Sequence, residues 1–343
     1  MTTHPAVPHA RVAIVGCGQI SQAHLRALRT SSWPIEITGL YDRDQPRAEA
    51  RAGEFGVTRV YRSWEEVLDD RAAEVVALLL PHNVHCDLAI EALAAGHHVV
   101  VEKPMATSVA ECSRMLAAAQ HAGRQLRPVH NRVYDPASEA ARSFIESGAI
   151  GEVFLAQTIG LEPPQTVSVR PWLGTEAGGG GVLLAQAIHP AYVLRWVLGE
   201  VAEVACFGAA RKVVEMAAED TAVAMLRFAS GAIGQMAGTF GLRVGPHEHG
   251  LTFYGPDGYV EVHSRRGVLA LSERHFGDRE RHPLLAEPGW GQGFVRLWED
   301  YARGFTMGAA TRVGAEDGLR AVEIIEAAYR SAAERRAVTL PLA

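Results

Sequence analysis

A short apolar run that leads directly into two closely spaced glycines constrains the fold of this chain most strongly. Residues 11–15 have the sequence RVAIV, and GCGQIS follows at 16–21, with Ser21 where this motif often has a third glycine. The β-branched run predicts a buried strand, and the first glycine permits a tight turn into a helix. The second glycine and the helix N-terminus would admit a pyrophosphate. We therefore predict dinucleotide contacts at Gly16, Gly18, Gln19 and Ile20.

An acidic residue after the second predicted strand supports the same site. Residues 36–41, EITGLY, form that strand, and Asp42 follows it. A carboxylate at this place accepts hydrogen bonds from the hydroxyls of the adenosine ribose. It would also repel a ribose 2′-phosphate, so the sequence favours NAD over NADP. Arg43 leaves NADP open, because its guanidinium could pair with that phosphate or stack on the adenine.

Strand and helix signals alternate in the first third of the chain and change character afterwards. Further strands at 75–80 and 98–101, each followed by a helix, predict a doubly wound parallel sheet over residues 1–125. Residues 126–343 predict an α+β domain with a large, mainly antiparallel open sheet. Its expected strands lie in 151–162, 202–215, 220–241 and 249–273, and its expected helices at 136–147, 186–198, 292–307 and 315–335.

Bulk composition excludes several classes of function. A chain of 343 residues is long enough for two domains, and its net charge of −6 offers no basic surface for nucleic acid or an anionic membrane. No apolar run reaches the length of a membrane span, and the first ten residues do not resemble a signal peptide. Scattered cysteines without a C-x-x-C pair indicate reduced thiols, so we expect a cytoplasmic protein. No histidine and cysteine spacing predicts a metal site.

Two short motifs and several later segments resemble one known family. Residues 81–85, PHNVH, and 95–104, AGHHVVVEKP, resemble signatures of the glucose–fructose oxidoreductase/inositol dehydrogenase family (Gfo/Idh/MocA). The similarity continues through 147–151, the glycine run Gly178 to Gly181, and residues 219–221, 230–231, 255–258 and 317–321. It therefore spans nearly the whole chain in the family's order.

The resemblance implies a Rossmann domain, a substrate domain, and roles for individual residues. In this family the lysine of E-K-P is catalytic, which corresponds to Lys103, and the open sheet often forms homodimers or homotetramers. Positions that line the nicotinamide half of the cofactor correspond to Pro81, Asn83, His85, Glu102 and Lys103. Positions that contact substrate correspond to Lys103, Arg170, Trp172, His189 and, after an expected sixth strand, Asn131 and Arg132.

One part of the family pattern is altered here. The family commonly has G-G-G-x-x-x-D-x-G-x-H-x-x-D, whereas this chain keeps His189 but has Ala185 and Tyr192 at the two aspartate positions. We expect Lys103 and His189 to share the proton transfer, with Ala185 leaving room for a bulkier substrate. His189 could instead be a buried structural histidine.

The sequence thus favours an NAD(P)-dependent oxidoreductase that moves hydride between nicotinamide and a sugar, polyol or cyclitol. Two alternatives stay open. One is a non-catalytic regulator that binds the dinucleotide, which Ala185 and Tyr192 favour a little and the retention of Lys103 and His189 argues against. The other is an enzyme whose tightly bound NAD is recycled within each turnover. The sequence does not identify the substrate, because one fold serves many reactions.

Overall fold

The computed structural model describes residues 9–210, 216–244, 249–263, 267–272, 282–285 and 291–342. The chain forms two compact units. The first comprises the described part of Met1–Ala106 with Ala110–Asn131 and Gly291–Gly318. The second comprises Thr107–Val109, the described part of Arg132–Trp290, and Leu319–Ala343 up to residue 342.

The first unit is built on a parallel sheet, as predicted. Among the described residues it has five strands in the order β2-β1-β3-β4-β5, all parallel. The strand expected ahead of Asn131 is present as β5, and among the described residues it is the fifth strand of this sheet rather than the sixth. A single parallel bridge between Leu40 and Val60 also lies beside β2. The strands are β1 (Ala10–Val15), β2 (Ile35–Tyr41), β3 (Val75–Leu78), β4 (His98–Val101) and β5 (Leu126–Pro128).

The helices of the first unit connect these strands. One of them, α2, was missed by the sequence analysis because Pro46 and Gly53 interrupt its apolar pattern. The Asp44 side chain caps its first turn, proline at its start suits a helix N-terminus, and Gly56 ends it with φ of 57°. The helices are α1 (Gln19–Thr30), α2 (Gln45–Phe55), α3 (Trp64–Leu68), α4 (His85–Ala94) and α5 (Val109–Ala122).

A helix from the C-terminal part of the chain also belongs to the first unit. Helix Gln292–Met307, predicted with the same limits, packs against α1. Its side chains Trp298 and Tyr301 are buried, and the Tyr301 hydroxyl donates to the Pro128 carbonyl at 2.6 Å. The sequence analysis included this helix in the second domain. Local periodicity gives the helix but not the unit that it packs on.

The second unit contains a mostly antiparallel sheet, as predicted. Its order among the described residues is β13-β12-β11-β10-β6-β9-β8-β7-β14, and β6 pairs with β9 in parallel. The expected strand region 220–241 contains two strands that turn at Gly231, and the region 249–273 contains three. Parts of 202–215 and 249–273 lie outside the described residues. The strands are β6 (Leu155–Leu161), β7 (Val201–Ala209), β8 (Thr221–Phe228), β9 (Ile233–Thr239), β10 (His249–Gly255), β11 (Gly258–His263), β12 (Gly267–Ser272), β13 (His282–Leu285) and β14 (Val338–Thr339).

Helices cover the inner face of this sheet. The expected helix 186–198 is two segments, because a π-helical turn, Leu183–Ala187, precedes the α-helix proper. The segment Glu176–Leu198 is long and apolar enough to span a membrane, but 67% of its most apolar window is buried in the protein, as in a core helix. The helices are α6 (Pro136–Glu146), α7 (Gln165–Ser168), α8 (Ile188–Leu198) and α10 (Ala315–Glu334), with α9 the helix Gln292–Met307 of the first unit.

Candidate active site

The carboxyl ends of the parallel strands gather most of the predicted cofactor residues at one edge of the first sheet. Gly16 follows β1, Asp42 follows β2, Pro81 lies just beyond β3, and Glu102 and Lys103 follow β4. Ligands of open α/β sheets bind outside this edge, where the strand order reverses. The reversal here lies between β1 and β3. The topology therefore explains why residues far apart in sequence share one site.

The glycine turn has the space that a dinucleotide needs. Gly16 has φ of +100°, and a side chain there would place its Cβ 2.3 Å from the Leu79 carbonyl oxygen. A Cβ on Gly18 would meet nothing within 4 Å, and no side chain caps the start of α1. The backbone at Gly18 is thus open to a pyrophosphate at the helix N-terminus. Cys17 between them is buried, and burial together with Asp42 raises the pKa of its thiol to about 12, so it is inert.

Asp42 is positioned by the glycine turn itself. It is 6% exposed, its Oδ2 accepts the Cys17 N–H at 2.9 Å, and its Oδ1 accepts the Asp44 N–H at 2.9 Å. These bonds fix the carboxylate beside the turn and leave further lone pairs for ribose hydroxyls. The residues present therefore fit an NAD cofactor.

Two arginines on α2 also reach the glycine turn. Arg51 donates to the Cys17 and Gly18 carbonyls at 3.4 and 3.3 Å, and Arg47 Nη1 lies 3.5 Å from Asp42 Oδ2. Neither arginine was predicted as a site residue, because helix α2 itself was not predicted. Arg43, which was predicted, is exposed. Arg47 is therefore a second cation to consider at the ribose end of the site.

A buried hydrogen-bonded chain supports the E-K-P segment. Glu102 is 6% exposed, and its Oε1 lies 2.9 Å from Nε2 of the fully buried His24. Its Oε2 accepts the Lys103 N–H at 3.0 Å, and Trp298 Nε1 donates to His24 Nδ1 at 3.0 Å. Burial alone would raise the pKa of Glu102, but the hydrogen bond from His24 and the nearby Lys103 charge hold that pKa below its usual range. Glu102 is therefore a carboxylate, and Lys103, half-buried, follows it.

The remaining predicted cofactor residues differ in their surroundings. His85 is fully buried, and its two ring nitrogens lie 2.9 Å from the Pro104 and Leu80 carbonyl oxygens. Burial lowers the pKa of His85, although both carbonyls oppose that shift. This histidine holds the loop after β3 to the loop after β4. Asn83 is exposed, whereas Asn131 is buried at the end of the first unit.

In the second unit, the glycine run and the half-buried Glu219 lie at the start of the π-helical turn. Glu219 Oε1 accepts the Leu183 N–H at 2.8 Å and the Tyr329 hydroxyl at 3.0 Å. Gly181 has φ of +100°, and a Cβ there would lie 2.2 Å from Glu219 Oε2. Burial raises the pKa of Glu219. Isolated π-helical turns are frequent at functional sites, which directs attention to this segment.

Tyr192 holds His189 where the family pattern has an aspartate. The Tyr192 hydroxyl lies 2.9 Å from His189 Nδ1, and its oxygen accepts the Arg132 N–H at 3.3 Å. Tyr192 is buried, and His189 is half-buried. The histidine ring is thus oriented by a neutral hydroxyl. Ala185, on the preceding π-helical turn, is 9% exposed and contributes no acid.

Beside these residues lies a small polar cavity that the sequence analysis did not anticipate. Gly160 and Gly238 pair across β6 and β9, and a Cβ on either would lie within 2.9 Å of the Gln186 amide. Gln186 is 6% exposed, yet neither its Oε1 nor its Nε2 has a hydrogen-bond partner, and the same holds for Thr158 Oγ1. The cavity has a volume of about 10 Å³, which is the space of one water or one hydroxyl.

A histidine that is hydrogen-bonded to a glutamate, and an arginine, also line this cavity. Glu162 Oε1 lies 2.7 Å from His249 Nε2, and Thr166 donates to Glu162 Oε2 at 2.8 Å. Burial opposes ionisation of Glu162, but these hydrogen bonds lower its pKa to about 2. Arg132 lines the same cavity as His249. Of the predicted substrate residues, Arg170 is exposed and Trp172 is half-buried, on short turns ahead of the glycine run.

Comparison with known proteins agrees with this arrangement. Residues 10–130 match the model of the oxidoreductase family with an NAD-binding Rossmann fold, and residues 142–340 match its C-terminal alpha/beta domain. The chain belongs to the Gfo/Idh/MocA oxidoreductase family. It is accordingly an oxidoreductase with an NAD-binding domain, and the expected family, fold and cofactor are confirmed.

Individual relatives of the Gfo/Idh/MocA family cover almost the whole chain. A myo-inositol 2-dehydrogenase from Thermotoga maritima is 25% identical over 335 residues, covering 96% of this chain and 98% of the relative. A D-apiose dehydrogenase from Paraburkholderia graminis is 27% identical, covering 98% and 92%. The solved structure of a levoglucosan dehydrogenase with NADH has a TM-score of 0.90 at 21% identity, covering 98% and 100%. This last likeness shows the fold alone.

Asp42→Ala should lower the affinity for NAD by about 10- to 100-fold, because two charge-assisted hydrogen bonds to the ribose are lost. NADP affinity should fall much less, since the repulsion of its 2′-phosphate is lost as well. Calorimetric titration with both dinucleotides measures the two constants. Asp44→Ala is the matched control, because it loses a helix cap but keeps the Asp42 carboxylate. Unchanged NAD affinity in Asp42→Ala, with the fold intact by circular dichroism, would contradict the assignment.

Proposed function

We propose that this protein is an NAD-dependent dehydrogenase of a polyol, sugar or cyclitol, with Lys103 and His189 in proton transfer. The observation that carries the proposal is Lys103 itself, which directly follows a buried, ionised Glu102 at the sheet edge that bears the glycine turn. Bound NAD would accept hydride from the carbinol carbon. The family's dehydrogenases of myo-inositol and D-apiose support this substrate class.

Lys103 suits the proton transfer because it lies at a strand end with its backbone fixed. The Glu102 carboxylate accepts the Lys103 N–H, and the Pro104 carbonyl that follows faces His85 Nδ1 at 2.9 Å. A lysine held in this way removes the hydroxyl proton in oxidation and polarises the carbonyl in reduction. The loop therefore supplies a positioned base on the cofactor-binding unit.

His189 is proposed as the second proton carrier. Its Nδ1 is engaged by Tyr192, so Nε2 is the nitrogen that would meet a substrate hydroxyl. Positions 185 and 192, where the family pattern has aspartates, hold no acid here that could raise the basicity of this histidine. We therefore assign the larger part of the proton transfer to Lys103.

Incubation of the protein with NAD and a panel of polyols, sugars and cyclitols, followed by the absorbance of reduced nicotinamide, tests the activity. Lys103→Ala should lower kcat by about 10²- to 10⁴-fold, as expected for loss of acid–base catalysis, while NAD affinity changes little. His189→Ala should lower kcat by a smaller factor. His121→Ala, an exposed histidine on α5, is the matched control and should leave kcat unchanged.

Two alternatives predict different outcomes of the same measurement. A dinucleotide-binding regulator would bind NAD but turn over nothing across the panel. An enzyme with recycled NAD would retain its cofactor through dialysis and convert substrate without net absorbance change. Turnover that survives in Lys103→Ala would refute the assigned base.

The cavity at Gln186 supports a substrate with a hydroxyl at a defined position. The Gln186 amide has no hydrogen-bond partner and offers an NH₂ group as donor and an oxygen as acceptor, and Thr158 offers a hydroxyl. A single substrate hydroxyl could therefore form hydrogen bonds with both residues. Buried polar groups left without partners discriminate strongly against a substrate that lacks the matching hydroxyl. We propose that this cavity binds one hydroxyl of the substrate.

Gln186→Leu should lower kcat/KM for the active substrate by about 5- to 100-fold, mainly through KM, because a buried hydrogen bond is lost. It should also reduce the discrimination against one monodeoxy analogue of that substrate. Gln120→Leu is the matched control, since Gln120 is exposed on α5, a helix of the first unit. If Gln186→Leu leaves both values unchanged, the cavity holds only a structural water.

The outer face of the second sheet supports assembly into a homodimer or homotetramer. Across four neighbouring strands, Phe207 pairs with Val223, Val223 with Ala237, and Ala237 with Ile159, which forms a continuous apolar row. Phe207 is 85% exposed, and Met225 and Ile233 on the same face are also exposed. Exposed apolar patches of this kind mark protein interfaces. We propose a second copy of this chain as the occupant, in the cytoplasm, where the four buried free thiols suit reducing conditions.

Phe207→Lys should shift the protein toward the monomer, because a charge within an apolar interface must be desolvated. Light scattering during size-exclusion chromatography measures the mass. Met307→Lys, at an exposed apolar residue of α9 in the first unit, is the control and should keep the wild-type mass. A wild-type protein that is monomeric at all concentrations would contradict the proposal.

A further inference from the structure

The hydrogen bond from Trp298 determines the protonation of a buried histidine. An indole N–H can only donate, so His24 Nδ1, at 3.0 Å from Trp298 Nε1, must accept. A ring that accepts at Nδ1 carries its proton on Nε2 and is neutral. That Nε2 lies 2.9 Å from Glu102 Oε1 and therefore donates to it. The contact of His24 with Glu102 is thus a hydrogen bond from a neutral ring, although its length would also suit an ion pair.

Because His24 is neutral, it does not cancel the negative charge of Glu102. The charged and titratable groups that face the pair among the described residues are Lys103, on the same loop, and His85, on α4. Helix α9 contributes only rings to this contact, Trp298 and Phe294, and the Phe294 ring centroid lies 4.9 Å from that of His24. Lys103 is the residue proposed to exchange a proton during turnover, so Glu102 is the lasting charge of the segment.

The place of Glu102 in the sheet relates this charge to the nicotinamide. If the adenosine ribose meets Asp42 after β2 and the pyrophosphate meets the turn after β1, the nicotinamide half extends over β3 and β4. Glu102 follows β4 directly. Oxidised nicotinamide carries a positive charge and reduced nicotinamide carries none.

We propose that Trp298 locks His24 as the neutral Nε2–H tautomer, so that the retained Glu102 charge makes the site favour oxidised over reduced nicotinamide. Trp298 and His24 are positioning residues, since they act through Glu102. The proposal rests on the binding of NAD to the first unit but on no particular substrate. The proposed cofactor preference can therefore be refuted while the proposed dehydrogenase activity is confirmed. The activity can equally be refuted while the cofactor preference is confirmed.

Trp298→Phe removes the donor and keeps an aromatic ring. Nδ1 of His24 can then take up a second proton, and the resulting cation pairs with Glu102 and cancels its charge. Imidazole rings become cations as the pH falls. The variant should therefore match the wild-type protein at about pH 8.5 and lose preference for NAD over NADH at about pH 6.

Long-range ¹H–¹⁵N spectra of the histidine rings test the tautomer in the dinucleotide-free protein. Wild-type His24 should show the Nε2–H form from about pH 6 to about pH 8.5, and Trp298→Phe should show a doubly protonated ring at the lower pH. The ratio of the dissociation constants of NADH and NAD, from calorimetry, should fall about 3- to 10-fold at that pH in the variant.

His24→Gln supplies a second, independent arm. A glutamine amide can accept from Trp298 and donate to Glu102, as the neutral ring does, but it cannot become a cation. It should keep the wild-type ratio at every pH, and Trp298→Phe combined with His24→Gln should lose the pH dependence. Phe294→Leu alters packing against the same ring without removing a hydrogen bond and is the control. A doubly protonated His24 in the wild-type protein, or a low ratio in His24→Gln at all pH values, would overturn the proposal.

Discussion

Burial of the Glu102 carboxylate is the constraint on which the first unit depends. A charge that is only 6% exposed is costly unless hydrogen bonds replace its water, and here both oxygens have partners. The partners come from α1 and from the loop after β4, and α9 provides the indole that orients His24. Helix α1, the loop after β4 and helix α9, which are distant in sequence, must therefore meet around Glu102. This requirement explains why α9, near the C-terminus, packs on the N-terminal unit.

The glycine turn is connected to the same point through α1. Gly16 makes the turn possible, Asp42 fixes it from the side of β2, and α1 begins at the turn and carries His24 inward. The helix that would bind the pyrophosphate also fixes the acid beside the catalytic candidate. The pyrophosphate and the nicotinamide half of a dinucleotide would thus both contact groups that α1 positions.

The parts of this arrangement that follow from local sequence were predictable. Strand β1, the turn at Gly16 and Asp42 depend on short-range sterics and on the edge at which parallel strands end, so the sequence gives their place and their chemistry. The hydrogen bond between Trp298 and His24 joins residues 274 positions apart, and no periodicity of the local sequence predicts such a contact. The role of Gln186 was equally unpredictable from local sequence, because its side chain packs against two glycines from different strands.

The second unit has neither aspartate of the family pattern, yet a neighbouring side chain still orients His189. Position 185 is alanine, and at position 192 a tyrosine hydroxyl makes an orienting contact to His189. An acid is present on the neighbouring sheet instead: Glu162 follows β6 and pairs with His249 at the start of β10. The Glu162 pKa of about 2 means that this charge persists over the physiological range. The His189 ring therefore keeps an orienting contact from a hydroxyl, and the charge of Glu162 acts on Arg132, which lines the cavity together with His249.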